Sequence, residues 1–160
     1  MKLKENMYVP LVRIHAVKES QIPYGNEILS QPEHVVAFAK RLFEHADREY
    51  VLAVTVNSKN KPQAVEVVAI GSLSEAIINP REVYKNVILS NGYGVILLHN
   101  HPSGSAEASM EDWLVTRRLK KAAGILGIAF LDHIIVGEEG FFSMASSDNW
   151  NKDKSDSWQS

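Results

Sequence analysis

Cysteine does not occur in this chain. Its absence excludes a disulfide scaffold, a Cys-based zinc ribbon, an iron–sulfur cluster and any thiol nucleophile, and it fits a reducing compartment. Long apolar runs are missing too. No stretch approaches the ~18 apolar residues of a membrane span, and the opening Met-Lys-Leu-Lys-Glu-Asn-Met is not followed by the apolar core of a secretory signal. A cytoplasmic protein with no membrane partner is the expectation. Charge of one sign is also lacking. The 17 Lys and Arg against 19 Asp and Glu leave a formal net charge of −2, which provides no general field for a phosphate backbone. Arg117, Arg118, Lys120 and Lys121 stand close together and read as the solvated face of a helix or as a local basic patch. DNA binding is expected to be weak and non-specific at most.

What is present suffices for one compact domain, since a chain of 160 residues buries roughly 70% of its unfolded surface without covalent staples. Segment 1–29 is expected to hold an edge strand over 8–17, where apolar and polar residues alternate after Pro10. A loop is expected over 20–32, where two prolines, Gly25 and Asn26 fall. The main domain is expected over 30–145. Ser30 and Glu33, with Pro32 between, predict a helix start, and Val35, Phe38, Ala39 and Leu42 carry helical spacing to about His45. The apolar runs Tyr50–Val56 and Gln63–Ile70, separated by a polar stretch, predict an antiparallel hairpin. Asn79 as cap, Pro80 at the first helical position and Glu82 reaching back predict a second helix, with Val83, Val87 and Ile88 as its buried face and Asn91-Gly92 as its stop. Gly94–Leu98 is wholly apolar and predicts a central strand. A helix over Ser109–Ala123, ended by Gly124, and strands over Ile128–Val136 and Phe141–Ala145, joined by Gly137-Glu-Glu-Gly140, complete the domain. The polar segment 146–160 is expected to be a poorly ordered tail. Interleaved strands and helices predict an α/β fold, a mixed β-sheet flanked by helices.

Chemistry concentrates at the end of the central strand. His99 and His101 are two residues apart and project from one face, and imidazole nitrogen suits zinc. Pro102 and Gly104 turn the chain, so Asp112, in the first turn of the next helix, can aim a carboxylate back. Three protein ligands leave a position for water, as catalytic rather than structural zinc sites do. Each half also has an innocent meaning. A His-x-His pair occurs by chance, and Ser109-x-x-Asp112 has the form of a capping box.

Taken together, the residues stand in the order His-x-His, seven residues, Ser-x-x-Asp, which resembles the signature of the JAMM (MPN-type) metalloproteases. The surrounding words resemble the RadC-like branch: Ile70-Gly-Ser-Leu73, Asn79-Pro-Arg-Glu-Val83, Leu98-His-Asn-His-Pro-Ser-Gly104, Glu111-Asp112, Thr116-Arg-Arg-Leu119 and Leu131-Asp-His-Ile-Ile-Val-Gly137. The likeness covers roughly residues 30–145. It implies the JAMM/MPN fold, similar to the cytidine-deaminase architecture, and one zinc ion per chain on His99, His101 and Asp112. It implies Ser109 as a hydroxyl that hydrogen-bonds the tetrahedral intermediate or the bound water, Glu49 as general base, and hydrolysis of peptide or isopeptide bonds in a protein or peptide substrate. A homo-oligomer is compatible with it.

By composition alone Glu49 is a surface residue of the cluster Asp47-Arg-Glu. Its rivals as base are weaker. Glu111 points about 100° away from Asp112 on a helix, Glu66 reads as solvent-facing in mid-strand, and Glu82 is accounted for by its cap. His133 lies in a matching word but outside the metal signature, and it reads as a structural or second-shell histidine. His15, His34 and His45 have no constellation around them. Two departures stand out. Nothing in 1–29 resembles the helix-hairpin-helix module common ahead of bacterial RadC domains, and Ser105-Ala-Glu-Ala108 departs from the composition usual there. The rival functions are a DNA-repair-associated protein acting through nucleic acid or a protein partner, a nucleobase deaminase, and a non-catalytic interaction domain. The deaminase needs Pro-Cys-x-x-Cys, which a chain without cysteine cannot supply. Interaction domains of this kind usually lack the ligand set.

Overall fold

The computed structural model describes residues 9–25, 28–71 and 78–151. In chain order they form α1 (Pro32–Phe43), β1 (Tyr50–Val56), β2 (Pro62–Ile70), α2 (Pro80–Leu89), β3 (Gly94–Asn100), α3 (Met110–Leu126), β4 (Ala129–Val136) and β5 (Phe141–Ser143). The sheet order is β2-β1-β3-β4-β5. β3 and β4 run parallel, and the other neighbouring pairs are antiparallel. The mixed sheet between helices is therefore the fold that the interleaved pattern predicts.

Alternation along the strands divides the core in two. Val51, Ala53, Val95 and Leu97 face α2 and α3, packing on Val83, Tyr84, Val87, Leu119 and Ala123. Leu52, Val54, Ile96, Leu98 and Ile134 face α1, packing on Val35 and Ala39. Every residue of β3 is buried, as a central strand covered on both faces requires.

Several local expectations shift by a residue or a turn. Pro32 takes the first helical position of α1, where its fixed φ fits. That makes Gln31 the cap and puts Ser30 one residue too early, so no side-chain cap bond forms. Asn79 does cap α2, accepting the Arg81 N–H at 3.1 Å. Glu82, however, accepts from Lys85 at 2.6 Å. Tyr84 occupies the buried face expected of Ile88, which is exposed. The Tyr84 hydroxyl donates to the Leu119 carbonyl at 2.8 Å, tying α2 to α3, and burial pushes its phenol pKa well up. α3 runs through Gly124, where a side chain would meet open space, and stops at Gly127, whose φ of 69° makes the left-handed cap. Asn79→Ala leaves an orphan N–H at the start of α2. It is expected to cost about 1 kcal/mol of unfolding free energy, read as a lowered midpoint in urea.

The edge strand expected at 8–17 does not form. Residues 9–25 carry neither helix nor strand, and Val9, Leu11, Val12, Ile14 and Val17 are exposed. An alternating segment becomes a strand only when a neighbour supplies its ladder, and the five strands pair among themselves. Residues 146–151 of the segment expected as a tail lie within the described residues. Residues 144–151 form bends and turns, and Trp150 stacks on Phe130 with ring centroids 5.9 Å apart. Lys120 lies 4.0 Å over the Trp150 ring and donates to the Trp150 carbonyl at 2.6 Å. That contact also breaks up the cationic cluster, since Lys120 is folded down while Arg118 and Lys121 stay exposed. Tyr8, Asn26, Ser72-Leu73 and tail residues 152–160 lie outside the described residues. Among those described, no helix is long and apolar enough to cross a membrane.

Candidate metal centre

The alternation that points Val95 and Leu97 at α2 and α3 carries His99 to the same face, at the foot of α3. One residue past the strand, the His101 N–H still donates to the Val136 carbonyl at 3.0 Å, and Gly104 turns the chain with a bond of 2.9 Å to the His101 carbonyl. Gly104 has a φ of 83°, a conformation that glycine adopts without strain. The turn brings the Ser105 carbonyl to 2.8 Å from His101 Nδ1. A carbonyl only accepts, so Nδ1 carries the proton and His101 Nε2 turns a bare lone pair inward. Gly137 packs beneath this loop: a Cβ there would lie 2.8 Å from the Ala106 nitrogen and would also meet the Gly104 carbonyl.

α3 supplies the carboxylate, and here the two readings of Ser109-x-x-Asp112 prove compatible. Ser109 caps the helix. Its backbone N–H and its hydroxyl each donate to Asp112 Oδ2 at 2.7 Å, and Ser109 Oγ accepts the Asp112 N–H at 3.1 Å. One carboxylate oxygen is thereby used by the cap. The other, Oδ1, is buried with no hydrogen-bond partner and lies 3.2 Å from His99 Nε2. Burial opposes ionisation of Asp112, yet the neighbouring His99 and the Ser109 donors outweigh it and hold the carboxyl well below the usual range.

His99 Nε2 and His101 Nε2 are 2.8 Å apart. Glu49 completes the cup, with Oε1 3.8 Å from His99 Nε2 and 3.9 Å from His101 Nε2. His99 and Asp112 are fully buried, while His101 and Glu49 are 17% and 15% exposed. Two imidazole nitrogens and a carboxylate oxygen thus converge. A tetrahedron with ~2.0 Å bonds has an edge of ~3.3 Å, close to the 2.8 and 3.2 Å found here. Around His99 Nε2, His101 Nε2 and the partnerless Asp112 Oδ1 lie at 2.8 and 3.2 Å, while His101 Nε2 lies 3.8 Å from Asp112 Oδ2, and lone pairs crowded in this way are mutually repulsive unless a cation lies between them. The residues present therefore fit a divalent metal ion.

The structure also brings in Asn100, which the sequence did not single out, and places His133, which the sequence reads as a structural or supporting histidine. Asn100, between the two histidines, points to the opposite side. Its Nδ2 donates to the Arg48 carbonyl at 3.0 Å and its Oδ1 accepts the Tyr50 N–H at 2.8 Å. It clamps the backbone on both sides of Glu49. The available signal was its position, a polar residue flanked by two histidines at the end of an apolar strand. His133, on β4, lies behind His99, with its Nε2 2.8 Å from His99 Nδ1. Its ring, fully buried, has a pKa well below the ordinary histidine value, from desolvation first and from neighbouring His99 second. His133 contacts the far side of the His99 ring, and the donor atoms lie close enough to form two overlapping groups, Glu49 with His99 and His101, and Asp112 with His99 and His133.

Other candidates go elsewhere. His34 Nδ1 lies 3.0 Å from the Ile28 carbonyl at the start of α1, and His15 is exposed. Glu111 is exposed. Glu66 is not solvent-facing but half-buried, 3.9 Å from Lys85 of α2, where burial raises its pKa.

Comparison with known proteins points the same way. The family model described as RadC-like JAB domain matches residues 29–150. A UPF0758 protein of Rubrobacter xylanophilus is 42% identical over 120 residues, 75% of this chain and 52% of the relative. One of Desulforamulus reducens is 41% identical over 119 residues, 74% of this chain and 52% of that protein, and one of Desulfitobacterium hafniense 36% over 125 residues, 78% and 55%. The chain spans about half the length of these curated relatives. The match covers the sheet, the three helices and every residue of the cup, and on that basis the chain belongs to the RadC-like JAB domain family.

Proposed function

We propose that this domain is a zinc-dependent hydrolase of peptide or isopeptide bonds. The observation that carries the reading is the buried, partnerless Asp112 Oδ1 turned toward His99 Nε2, which in turn meets His101 Nε2. His99, His101 and Asp112 would hold the ion, a ligand set of nitrogen and oxygen that suits zinc and leaves room for exchangeable water. Bound there, zinc supplies Lewis acidity toward a carbonyl oxygen and lowers the pKa of water toward roughly 7.

The remaining work falls to the chain. Glu49 is a carboxylate beside the donors, farther from His99 than Asp112 is (3.8 against 3.2 Å) and nearly level with it at His101 (3.9 against 3.8 Å). It takes a proton from the attacking water and returns it to the leaving amine. Ser109 keeps Asp112 turned so that Oδ1 faces the histidines. A hydroxyl has one proton, and here it is directed at Asp112 Oδ2. Using it on a substrate oxyanion exchanges one bond for the other.

The clamp on Glu49 supplies a test of geometry apart from ligation. Asn100→Ala frees the Arg48 carbonyl and the Tyr50 N–H, and a small misplacement of a catalytic group can cost ~10²-fold in rate. Turnover is expected to fall toward that extent while metal content stays at the wild-type level. The substrate itself is sought with a peptide and isopeptide library, screened against zinc-loaded protein with a chelated control. Cleavage only in the loaded sample supports the reading. Metal-independent cleavage, or none from a fully loaded protein across both bond types, overturns it and leaves the DNA-repair-associated alternative.

A further inference from the structure

One nitrogen of His99 faces the cup and the other faces the core, where a chain of contacts begins. His99 Nδ1 is 2.8 Å from His133 Nε2. His133 Nδ1 is 2.6 Å from Thr116 Oγ1, and the Thr116 hydroxyl donates to Met144 Sδ at 3.3 Å. His99, His133 and Met144 are fully buried and Thr116 is 1% exposed, so water does not intervene. Met144 is held firmly. Its N–H donates to the His133 carbonyl at 3.1 Å, and the Asp132 carboxylate accepts from the residues on either side, Ser143 Oγ at 2.6 Å and the Ala145 N–H at 2.9 Å.

The direction of the chain follows from its far end. A thioether has no proton to give and only accepts. With the single hydroxyl proton of Thr116 directed at the sulfur, Thr116 Oγ1 accepts from His133 Nδ1–H. A neutral imidazole carries one N–H, which leaves His133 Nε2 bare to accept from His99 Nδ1–H. In a neutral His99 the nitrogen facing the cup is then the one with a lone pair.

We propose that Met144, Thr116 and His133 form a one-way positioning relay that fixes the tautomer of His99 and so presents its Nε2 as a metal donor. The proposal rests on the metal reading of His99 given above. Its logic lies in the unusual partner. A ligating histidine commonly donates its second N–H to a carboxylate, a carbonyl or water, and the first two of these can only accept. An imidazole in that place can turn its tautomer round, donate to His99 Nδ1, and leave a proton on the nitrogen that faces the cup. A sulfur atom at the end of the relay forbids that reversal.

Met144→Leu keeps the bulk of the side chain, a swap that cores tolerate well, and removes the acceptor. The Thr116 hydroxyl then finds its acceptor in His133 Nδ1, and the relay reverses. The zinc Kd of this variant is expected to rise about 10–100-fold. In metal-free protein the ¹⁵N imidazole spectrum of His133 is expected to pass from the Nδ1–H form in wild type to the Nε2–H form in the variant. Adding Thr116→Val to Met144→Leu removes the donor that drives the reversal and is expected to recover part of the affinity, which a packing defect alone would not do. A His133 that is Nε2–H in wild type overturns the relay, and so does a folded Met144→Leu protein with zinc affinity within about twofold of wild type. If Met144→Leu does not fold, the wild-type tautomer decides the matter alone. Wild-type protein that binds no zinc while His133 is Nδ1–H overturns the metal reading and leaves the direction of the relay established.

Discussion

Loss of the His101 imidazole is expected to take the untagged, purified domain from about one zinc per chain to almost none. Of the three proposed donors, His101 alone is carried on a loop, positioned by the Ser105 carbonyl at 2.8 Å and by the packing of that loop on Gly137. Removing it leaves His99 and Asp112, two donors where a zinc site needs at least three from the protein. Elemental analysis of His101→Ala is the direct measurement. Thermal unfolding is the second, because an ion that binds only the folded state stabilises it by about 4.1 kcal/mol when present at 1,000 times its Kd. Wild-type protein is expected to melt higher with zinc than with chelator, and the variant is expected to show no such difference. Substoichiometric zinc that His101→Ala leaves unchanged would rule out this donor set.

Glu49→Gln is expected to separate chemistry from binding. The change is isosteric and keeps a hydrogen-bonding head beside the histidines, but an amide cannot take up the proton of an attacking water. Loss of a general base typically costs 10²–10⁴ in rate. On a substrate found by the library screen, turnover is expected to drop by at least ~10², with metal content at the wild-type level. The distances to His99 support this division of labour, while those to His101 are nearly equal, 3.9 Å for Glu49 and 3.8 Å for Asp112. Glu49 Oε1 stands 3.8 Å from His99 Nε2, against 3.2 Å for Asp112 Oδ1. A variant that loses its zinc would make Glu49 a ligand and displace Asp112 from that role. A variant that keeps both zinc and activity would move the base elsewhere.

The sequence showed the sheet and the donors more clearly than the parts that orient them. β1, β2 and β3 are legible because an apolar run buried on both faces, or a hairpin of β-branched residues, has few other destinations. His99, His101 and Asp112 stand out by residue type and order. Asp112 also shows why two sound local readings need not compete, since a carboxylate has two oxygens and spends one on the cap and one on the cup. Asn100, Thr116 and Met144 stayed hidden because their roles depend on contacts distant in sequence, whereas His133 was legible as a structural or supporting histidine. Asn100 acts on residues some fifty positions earlier. The relay needs Thr116 of α3, His133 of β4 and Met144 beyond β5 to meet behind one ring, and nothing in their spacing marks them as a set. Elsewhere a local signal misled. The alternation of residues 9–17 is that of a strand, but pairing is a property of two segments and no partner is present among the strands described. Gly124 has the composition of a helix stop, yet a glycine facing open space costs a helix only ~1 kcal/mol, and the left-handed turn falls to Gly127.

β3 is hydrogen-bonded to β1 on one side and β4 on the other, and buried on both faces. Its amide protons therefore have no local route to solvent and exchange at the rate set by opening of the whole domain. His99 and Asn100 belong to that slowest-exchanging unit, and the His101 N–H extends its ladder by one bond, to the Val136 carbonyl, before the turn begins. In deuterated solvent the amide of His99 should remain protected long after those of the Ser103–Ser105 turn have exchanged.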